Sequence, residues 1–431
     1  MRVMSAASEE CAGFLRELRE RGRAPDPAVE AAVRAILEDV RERGDAALLA
    51  HTGRLDGVRL DAQTLRVAEA ECDAALASLD PSVREALALA ADRIGAFHTR
   101  QRRESWFVEE AGTGVLGQLV RPLHRVGLYV PGGSAAYPSS VLMNAIPAKV
   151  AGVAEVVMCT PVGGARSVAP AVLAAARIAG VREIYRIGGA QAVAAMAFGT
   201  ATIRPVDKIV GPGNVYVAAA KRLVFGIVGI DMVAGPSEVV VVADETAPAD
   251  WVAADLLAQA EHDAMASAVC ITPSAALARS VEAEVARQLS LLPRRAIAEQ
   301  AVNRFGAVIV AEDLAAAVRL ANAVAPEHLE LMVADPWALV PDVRHAGAVF
   351  LGRHTPEVAG DYLAGPSHVL PTGGTARFSS PLSVEDFQTR SSLLGLTPEA
   401  IRRWREPVTR LAELEGLEAH ARAIRIRTET P

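Results

Sequence analysis

Gln259 and His262 stand three residues apart in Ala258-Gln259-Ala260-Glu261-His262-Asp263, a spacing that brings two side chains to one side of a helix. Asp255, four residues before Gln259, shares that side. Further along come the adjacent pair Glu327-His328, Asp361 in a Gly-Asp-Tyr loop, His368 in a Gly/Pro loop seven residues later, and His420 near the C-terminus. Imidazole nitrogen with carboxylate and amide oxygen suits a zinc-like ion that thiolates do not hold. Glu327 and His328 supply proton acceptors, and neutral imidazole near its free pKa is the commonest general base. Metal plus base is equipment for binding and activating a polar small molecule. Spacing alone leaves plainer readings open. The same residues suit a polar helix end facing solvent, a satisfied core histidine or an ordinary loop histidine, and glutamine is an unusual metal ligand. His51, His98, His124, His345 and His354 have no comparable setting and are read as structural.

A second kind of chemistry is suggested by glycine turns. Gly211-Pro212-Gly213-Asn214 follows a strand-like run and precedes a helical one, which sets backbone N–H groups at a positive helix end. Pro131-Gly132-Gly133 and Gly188-Gly189 occupy equivalent strand-to-helix positions. Ligands of open α/β sheets sit outside the carboxyl ends of the strands, so three such turns suit a phosphate or dinucleotide if they converge. No G-x-G-x-x-G occurs, and glycine after a strand also serves sterics alone.

Positioning these groups takes more than one core, because a chain of 431 residues exceeds an ordinary single domain. Hydrophobic residues make up 51% with only 4% aromatic, a balance of Val-rich strands and Ala-rich helices. Strand-like runs at Val126–Val130, Glu155–Thr160, Ile184–Ile187 and Lys208–Val210 alternate with helical stretches, which predicts a parallel sheet with crossover helices. A second such run follows, with strands at Glu238–Val242, Val269–Thr272, Ala307–Val310 and Ala348–Leu351 and a helix from Ala249 to about Ala266. Residues from Asp26 to about Arg103 read as mostly helical, opened by Pro25-Asp26-Pro27, with a second start at Asp80-Pro81-Ser82. Beyond Ser380 the chain reads as a polar helical tail.

A net charge of −7 without a basic block excludes the electrostatic footprint of a nucleic-acid binder. The apolar stretch between Gln191 and Arg204 is 12 residues long, too short to span a bilayer, so no membrane is expected. Cys11, Cys72, Cys159 and Cys270 lie far apart and read as thiols of a reducing compartment. With no signal-peptide core at the N-terminus, the expected location is cytoplasmic.

Several long strings carry a resemblance. VGLYVPGGSAAYPSSVLMNAIPAKVAGV, IGGAQAVAAMAFGT, KIVGPGNVYVAAAKR, GIDMVAGPSEVVVVAD, DLLAQAEHDAMA, PEHLEL and GDYLAGPSHVLPTGGTARFSSPLSVEDFQ occur in order and without large gaps over roughly residues 25 to 425. In these strings the chain resembles the histidinol dehydrogenase family, which ends histidine biosynthesis. The resemblance implies zinc-dependent, NAD-dependent oxidation of L-histidinol to L-histidine, in two hydride transfers through histidinaldehyde.

By position, Gln259, His262, Asp361 and His420 resemble the family's metal ligands, for one zinc per subunit, and Glu327 and His328 its acid–base pair. Ser237, His328, His368 and Glu415, together with the metal-ligand positions, match positions lining the substrate; Tyr129, Gln191 and Asn214 match NAD contacts. No mismatch falls at a metal or acid–base position. The implied fold is α/β: two Rossmann-like parallel-sheet domains, one inserted in the other, with N-terminal helices and a C-terminal helical tail exchanged in a homodimer. His420 would then come from the partner chain, so that active sites are shared. The expected divisions are a helical segment over 1–25, a substrate and metal domain over 26–125 and 238–378, an NAD domain over 126–237 and the tail over 379–431. A rival keeps the fold and changes the substrate, to another small polyol such as a sulfonated diol. Intact Glu415 and His420 favour a cationic imidazole instead, since an anion calls for basic residues there.

Overall fold

Runs of β-branched residues too apolar to leave either face in water form the two parallel sheets of the protein. The computed structural model describes residues 1–21, 26–132, 136–162 and 167–429. Five short strands, Arg125–Tyr129, Glu155–Cys159, Glu183–Tyr185, Lys208–Val210 and Gly229–Ile230, pair in parallel. Across the sheet the third, second and first of these precede the fourth and fifth. Such an order reverses direction between Arg125–Tyr129 and Lys208–Val210, and there the crossover helices part to opposite faces.

The second sheet repeats the plan. Glu238–Ala243, Ser267–Thr272, Gly306–Val310, His328–Met332 and Ala348–Leu351 take the same order, with Arg2–Ser5 added at the edge beside Gly306–Val310. Because that first strand belongs to the second sheet, the first sheet is an insertion in its chain path. The expected α/β architecture of two Rossmann-like parallel sheets is what the chain forms.

Alternation along the central strand sets the core. Val239, Val241 and Ala243 pack against the helices Ala249–Ala260, Ala275–Leu289 and Arg295–Phe305, while Val240 and Val242 face Phe14, Ile309 and the helix Leu314–Val324. The first sheet is covered on one face by Ala-rich helices Gly189–Phe198 and Val215–Val224 and by Pro27–Arg43. Asp26 caps that last helix, accepting from Ala28 N–H at 2.8 Å, and Val33, Ile36 and Val40 form its buried stripe.

Several expectations change in detail. The segment 1–25 is not wholly helical: the strand Arg2–Ser5 precedes the helix Glu9–Glu20, and residues 22–25 lie outside those described. Four residues are too few to reveal a strand period, and pairing with a distant partner is what makes them one. The tail over 379–431 likewise holds a nine-residue strand, Gln388–Leu396, before helices Pro398–Leu414 and Glu418–Glu429. That strand joins Gly114–Pro122 and Trp106–Glu110 in an antiparallel three-stranded sheet. Contacts divide the chain into two compact units, one of Met1–Gln101 with His124–Phe387 and one of Arg102–Leu123 with Gln388–Pro431. Both parallel sheets lie in the first unit; the antiparallel sheet and the last two helices form the second. Among the described residues no helix is long and apolar enough to cross a membrane.

Candidate active site

The adjacent Glu327 and His328 are placed by a tight change of direction. The helix Leu314–Val324 ends on Ala325, whose φ of 55° is the one positive value at a non-glycine among the described residues. Pro326 then carries the chain straight into the strand His328–Met332, so Glu327 and His328 stand at that strand's amino end. Parallel pairing sets His328 level with Val239, which brings Glu238 alongside the pair. The Glu238 backbone binds both partners. Its N–H donates to Glu327 Oε2 at 3.0 Å, and its carbonyl accepts from His328 Nδ1 at 3.1 Å. A proton committed at Nδ1 leaves Nε2 as the lone-pair nitrogen, and Nε2 is buried without a partner, 3.9 Å from Asp361 Oδ1.

Glu238 is anchored in turn by Arg21, whose Nη2 lies 2.8 Å from Glu238 Oε1 in an ion pair buried on both sides. The sequence marks no role for either residue: strand pairing brings Glu238 to the site, and the end of the helix Glu9–Glu20 brings Arg21.

Gln259 and His262 do meet on one side, by a different route from the one expected. The helix stops at Ala260, with Glu261 as its C-cap, and His262 lies in the following turn with its N–H on Gln259 carbonyl oxygen at 3.2 Å. Asp255, one turn earlier, faces Glu330 instead, and burial raises both carboxyls above their ordinary range. Asp361 is helical, in the short helix Glu357–Tyr362, and its carbonyl holds His368 Nδ1 at 3.1 Å.

Donor atoms of His262, Glu357 and Asp361 all lie within 4.8 Å of one another. Glu357 escaped the sequence reading, although its spacing of four from Asp361 on a helix was a usable signal. Its carboxylate faces the Gln259 amide, and with nitrogen turned toward it that amide donates to Oε1 at 2.5 Å and Oε2 at 3.0 Å.

Burial governs the protonation of the cluster. It pushes the Glu327 and Glu357 carboxyls well above their ordinary range and Asp361 up to about 6, because the charged form loses water. It pushes imidazoles the other way, His368 to about 4 and His328 to about 3, with His262 also lowered. Imidazoles kept neutral therefore stand beside carboxyls whose charged form burial disfavours, with His262 the exposed member of the set. Ser237 lies half-buried just before Glu238, on the same edge of the sheet.

The other candidate groups sit at the carboxyl end of the first sheet, and its turns do converge. A Cβ on Gly211, where φ is +110°, would lie 2.1 Å from Tyr129 carbonyl oxygen, and a Cβ on Gly132 or Gly188 would press on Pro161. Tyr129 Oη accepts from Gly189 N–H at 3.0 Å, so this buried phenol ties two of the turns together. Gln191 is fully buried, with Oε1 unpartnered. Asn214 caps Val215–Val224 by accepting from Tyr216 and Val217 N–H, each at 3.1 Å. Two donors offered to a phosphate on sequence grounds are therefore already used by Asn214 itself. Gly133 and Ser134 lie outside the described residues.

The structure does not gather every candidate. Glu415, the C-cap of Pro398–Leu414, and His420, on Glu418–Glu429, belong to the second unit and are both exposed.

Comparisons with known proteins agree over the full length. The sequence profile of histidinol dehydrogenase matches residues 19–428. The chain is 55% identical to the histidinol dehydrogenase of Syntrophotalea carbinolica over 427 residues, 99% of each chain. It is 58% identical to that of Rhizobium meliloti over 400 residues, 93% of this chain and 92% of the relative. Among solved structures, histidinol dehydrogenase from Elizabethkingia anophelis superposes with a TM-score of 0.93 at 36% identity, covering 100% of this chain and 98% of that one.

Proposed function

Because the chain belongs to the histidinol dehydrogenase family, we propose that it oxidises L-histidinol to L-histidine through histidinaldehyde, with NAD as hydride acceptor and one Zn2+ per subunit. The observation that carries this reading is His328 Nε2: buried, fixed as the lone-pair nitrogen and opposite Asp361 at the edge of the His262–Glu357–Asp361 set. Oxygen and imidazole donors in that set fit a borderline divalent ion, and burial leaves its carboxyls short of a counter-charge.

Gln259, His262 and Asp361, with the partner subunit's His420, would hold the ion. When bound it would fix the substrate through its amine and imidazole, both good donors to zinc. NAD would take the hydride from the crevice between Arg125–Tyr129 and Lys208–Val210, beside Tyr129, Gln191 and Asn214. Within that frame His328 accepts the hydroxyl proton at Nε2. Glu327, held by Glu238 N–H and raised by burial, orients and deprotonates the water that the second oxidation consumes. Ser237 and His368 line the substrate, and Glu415 complements its positive charge. Enclosure protects the aldehyde between the two steps. Exposed apolar side chains on the second unit, among them Phe107, Leu394, Leu411 and Leu414, support a homodimer in which that unit meets the other chain.

The test is NADH formation with L-histidinol against a panel of diols, sulfonated ones included. Turnover should be confined to histidinol, cease on chelation and return with Zn2+. His328→Ala should lower kcat about 10²-fold or more, the usual share of a general base. No turnover of histidinol, or a near-normal His328→Ala enzyme, would refute the proposal.

A further inference from the structure

Glu357 stands outside both the acid–base pair and the four groups proposed to hold the ion, yet three elements converge on it. It opens the short helix that carries Asp361, and only 1% of its surface is exposed. Its backbone N–H donates to Glu330 Oε1 at 2.8 Å, tying that helix to the strand next to the centre of the second sheet. One of its oxygens lies 3.8 Å from His328 Nδ1, whose proton is already given to Glu238. Its remaining capacity goes to the Gln259 amide, which is itself 1% exposed.

A glutamine amide can be turned by half a revolution at little cost, and the two orientations are opposites for a cation. One offers the carbonyl oxygen; the other points two N–H groups at a positive charge. A neutral amide is also a weak donor beside a carboxylate or an imidazole. We infer that Glu357 is a positioning residue that binds the Gln259 NH2 group and so presents the amide oxygen to the metal ion. With the amide nitrogen turned toward it, an ionised Glu357 accepts at both oxygens, an arrangement that the inverted amide, oxygen against oxygen, cannot make. The hydrogen bonds also draw electron density toward the carbonyl oxygen and strengthen it as a donor. Negative charge is thereby added behind the ligand without occupying a coordination position. The inference rests on Gln259 being a ligand, as proposed above.

Competition with a fluorescent chelator measures Zn2+ affinity of the whole dimeric protein directly, with thermal unfolding of the metal-free variants as the control for folding. Gln259→Ala and Glu357→Gln should each weaken Zn2+ binding about 10–100-fold, the usual effect of losing a group in or behind the ligand shell. Combined, Gln259→Ala and Glu357→Gln should bind no worse than Gln259→Ala alone, because Glu357 acts through the amide. The exchange Gln259→Glu with Glu357→Gln should recover most of the loss, since the new amide at 357 donates to the new carboxylate at 259. Additive losses would show Glu357 binding the ion itself and overturn the inference. Full affinity in Glu357→Gln, with Gln259→Ala impaired, would overturn it while leaving the ligand assignment standing. Full affinity in Gln259→Ala would remove the ligand assignment and the inference with it.

Discussion

At the scale of single residues, backbone groups decide what the histidines are. His328 and His98 are both buried and both commit Nδ1 to a backbone carbonyl, of Glu238 and Ile94 respectively. His328 aims its other nitrogen at Asp361, whereas His98 sits inside the helix Pro81–Thr99 and reaches no second titratable group. Desolvation lowers the His98 pKa below its ordinary 6.5. The sign follows from linkage. Below pH 6.5 the unfolded chain takes up a proton that the folded chain refuses, so stability falls with pH through that window, while above it the group contributes nothing. His98→Asn, which keeps a donor for Ile94, should lose less of its melting temperature than the wild type between about pH 8 and about pH 5.5. Parallel melting curves for the two proteins would contradict this. Reading His98 as structural and His328 as functional was possible from sequence only through the Glu327 neighbour. Glu238 and Arg21 were not readable there, because their contribution comes from the Glu238 peptide and from an ion pair spanning 217 positions.

At the scale of elements, the two parallel sheets were legible because both faces of their strands are buried, which writes them as continuous apolar runs. The antiparallel sheet was not. All five residues of Trp106–Glu110 are exposed, so burial does not mark its hairpin with Gly114–Pro122, and the third strand, Gln388–Leu396, comes from far along the chain. Helix ends were the other weak point, since Gln259 and His262 keep their expected neighbourhood although the helix stops between them. The glycine turns were legible as a set, and their reason is contact. Gly211 passes so close to Tyr129 carbonyl oxygen that a methyl group has no room, and its φ of +110° suits no other residue. Gly211→Ala must therefore push Lys208–Val210 and Arg125–Tyr129 apart at their carboxyl ends, at a cost of about 1–3 kcal/mol for the strained backbone. If the crevice holds NAD, dinucleotide affinity measured by NADH fluorescence should drop about tenfold or more, with Zn2+ affinity unchanged. Equal losses of both would mean that the substitution merely loosens the whole unit.

At the scale of the whole molecule, two sheets of one plan serve opposite ends. The second sheet has its own crevice beyond Ala243 and Met332, but Asp244 closes it, accepting from Thr246 N–H at 2.9 Å and Ala334 N–H at 2.8 Å. A carboxylate seated between those loops repels the phosphates of a dinucleotide, which favours the glycine-lined crevice of the first sheet in the proposal above. Glu327, His328 and the His262–Glu357–Asp361 set stand instead at the amino end of the second sheet. Gln259, His262 and Asp361 as the proposed ligands leave a fourth position to His420, which is exposed on the separate unit. If the partner subunit's His420 completes each site, a His262→Ala chain and a His420→Ala chain fail in different sites. A heterodimer of the two then has one site with both defects and one with neither. Each variant alone should be nearly inactive, and a statistical mixture, half of it heterodimer, should recover about a quarter of wild-type activity per site. Recovery should follow the rate of subunit exchange and require Zn2+. Absence of recovery, with heterodimers shown to form by mass, would place His420 in its own chain's site or in none.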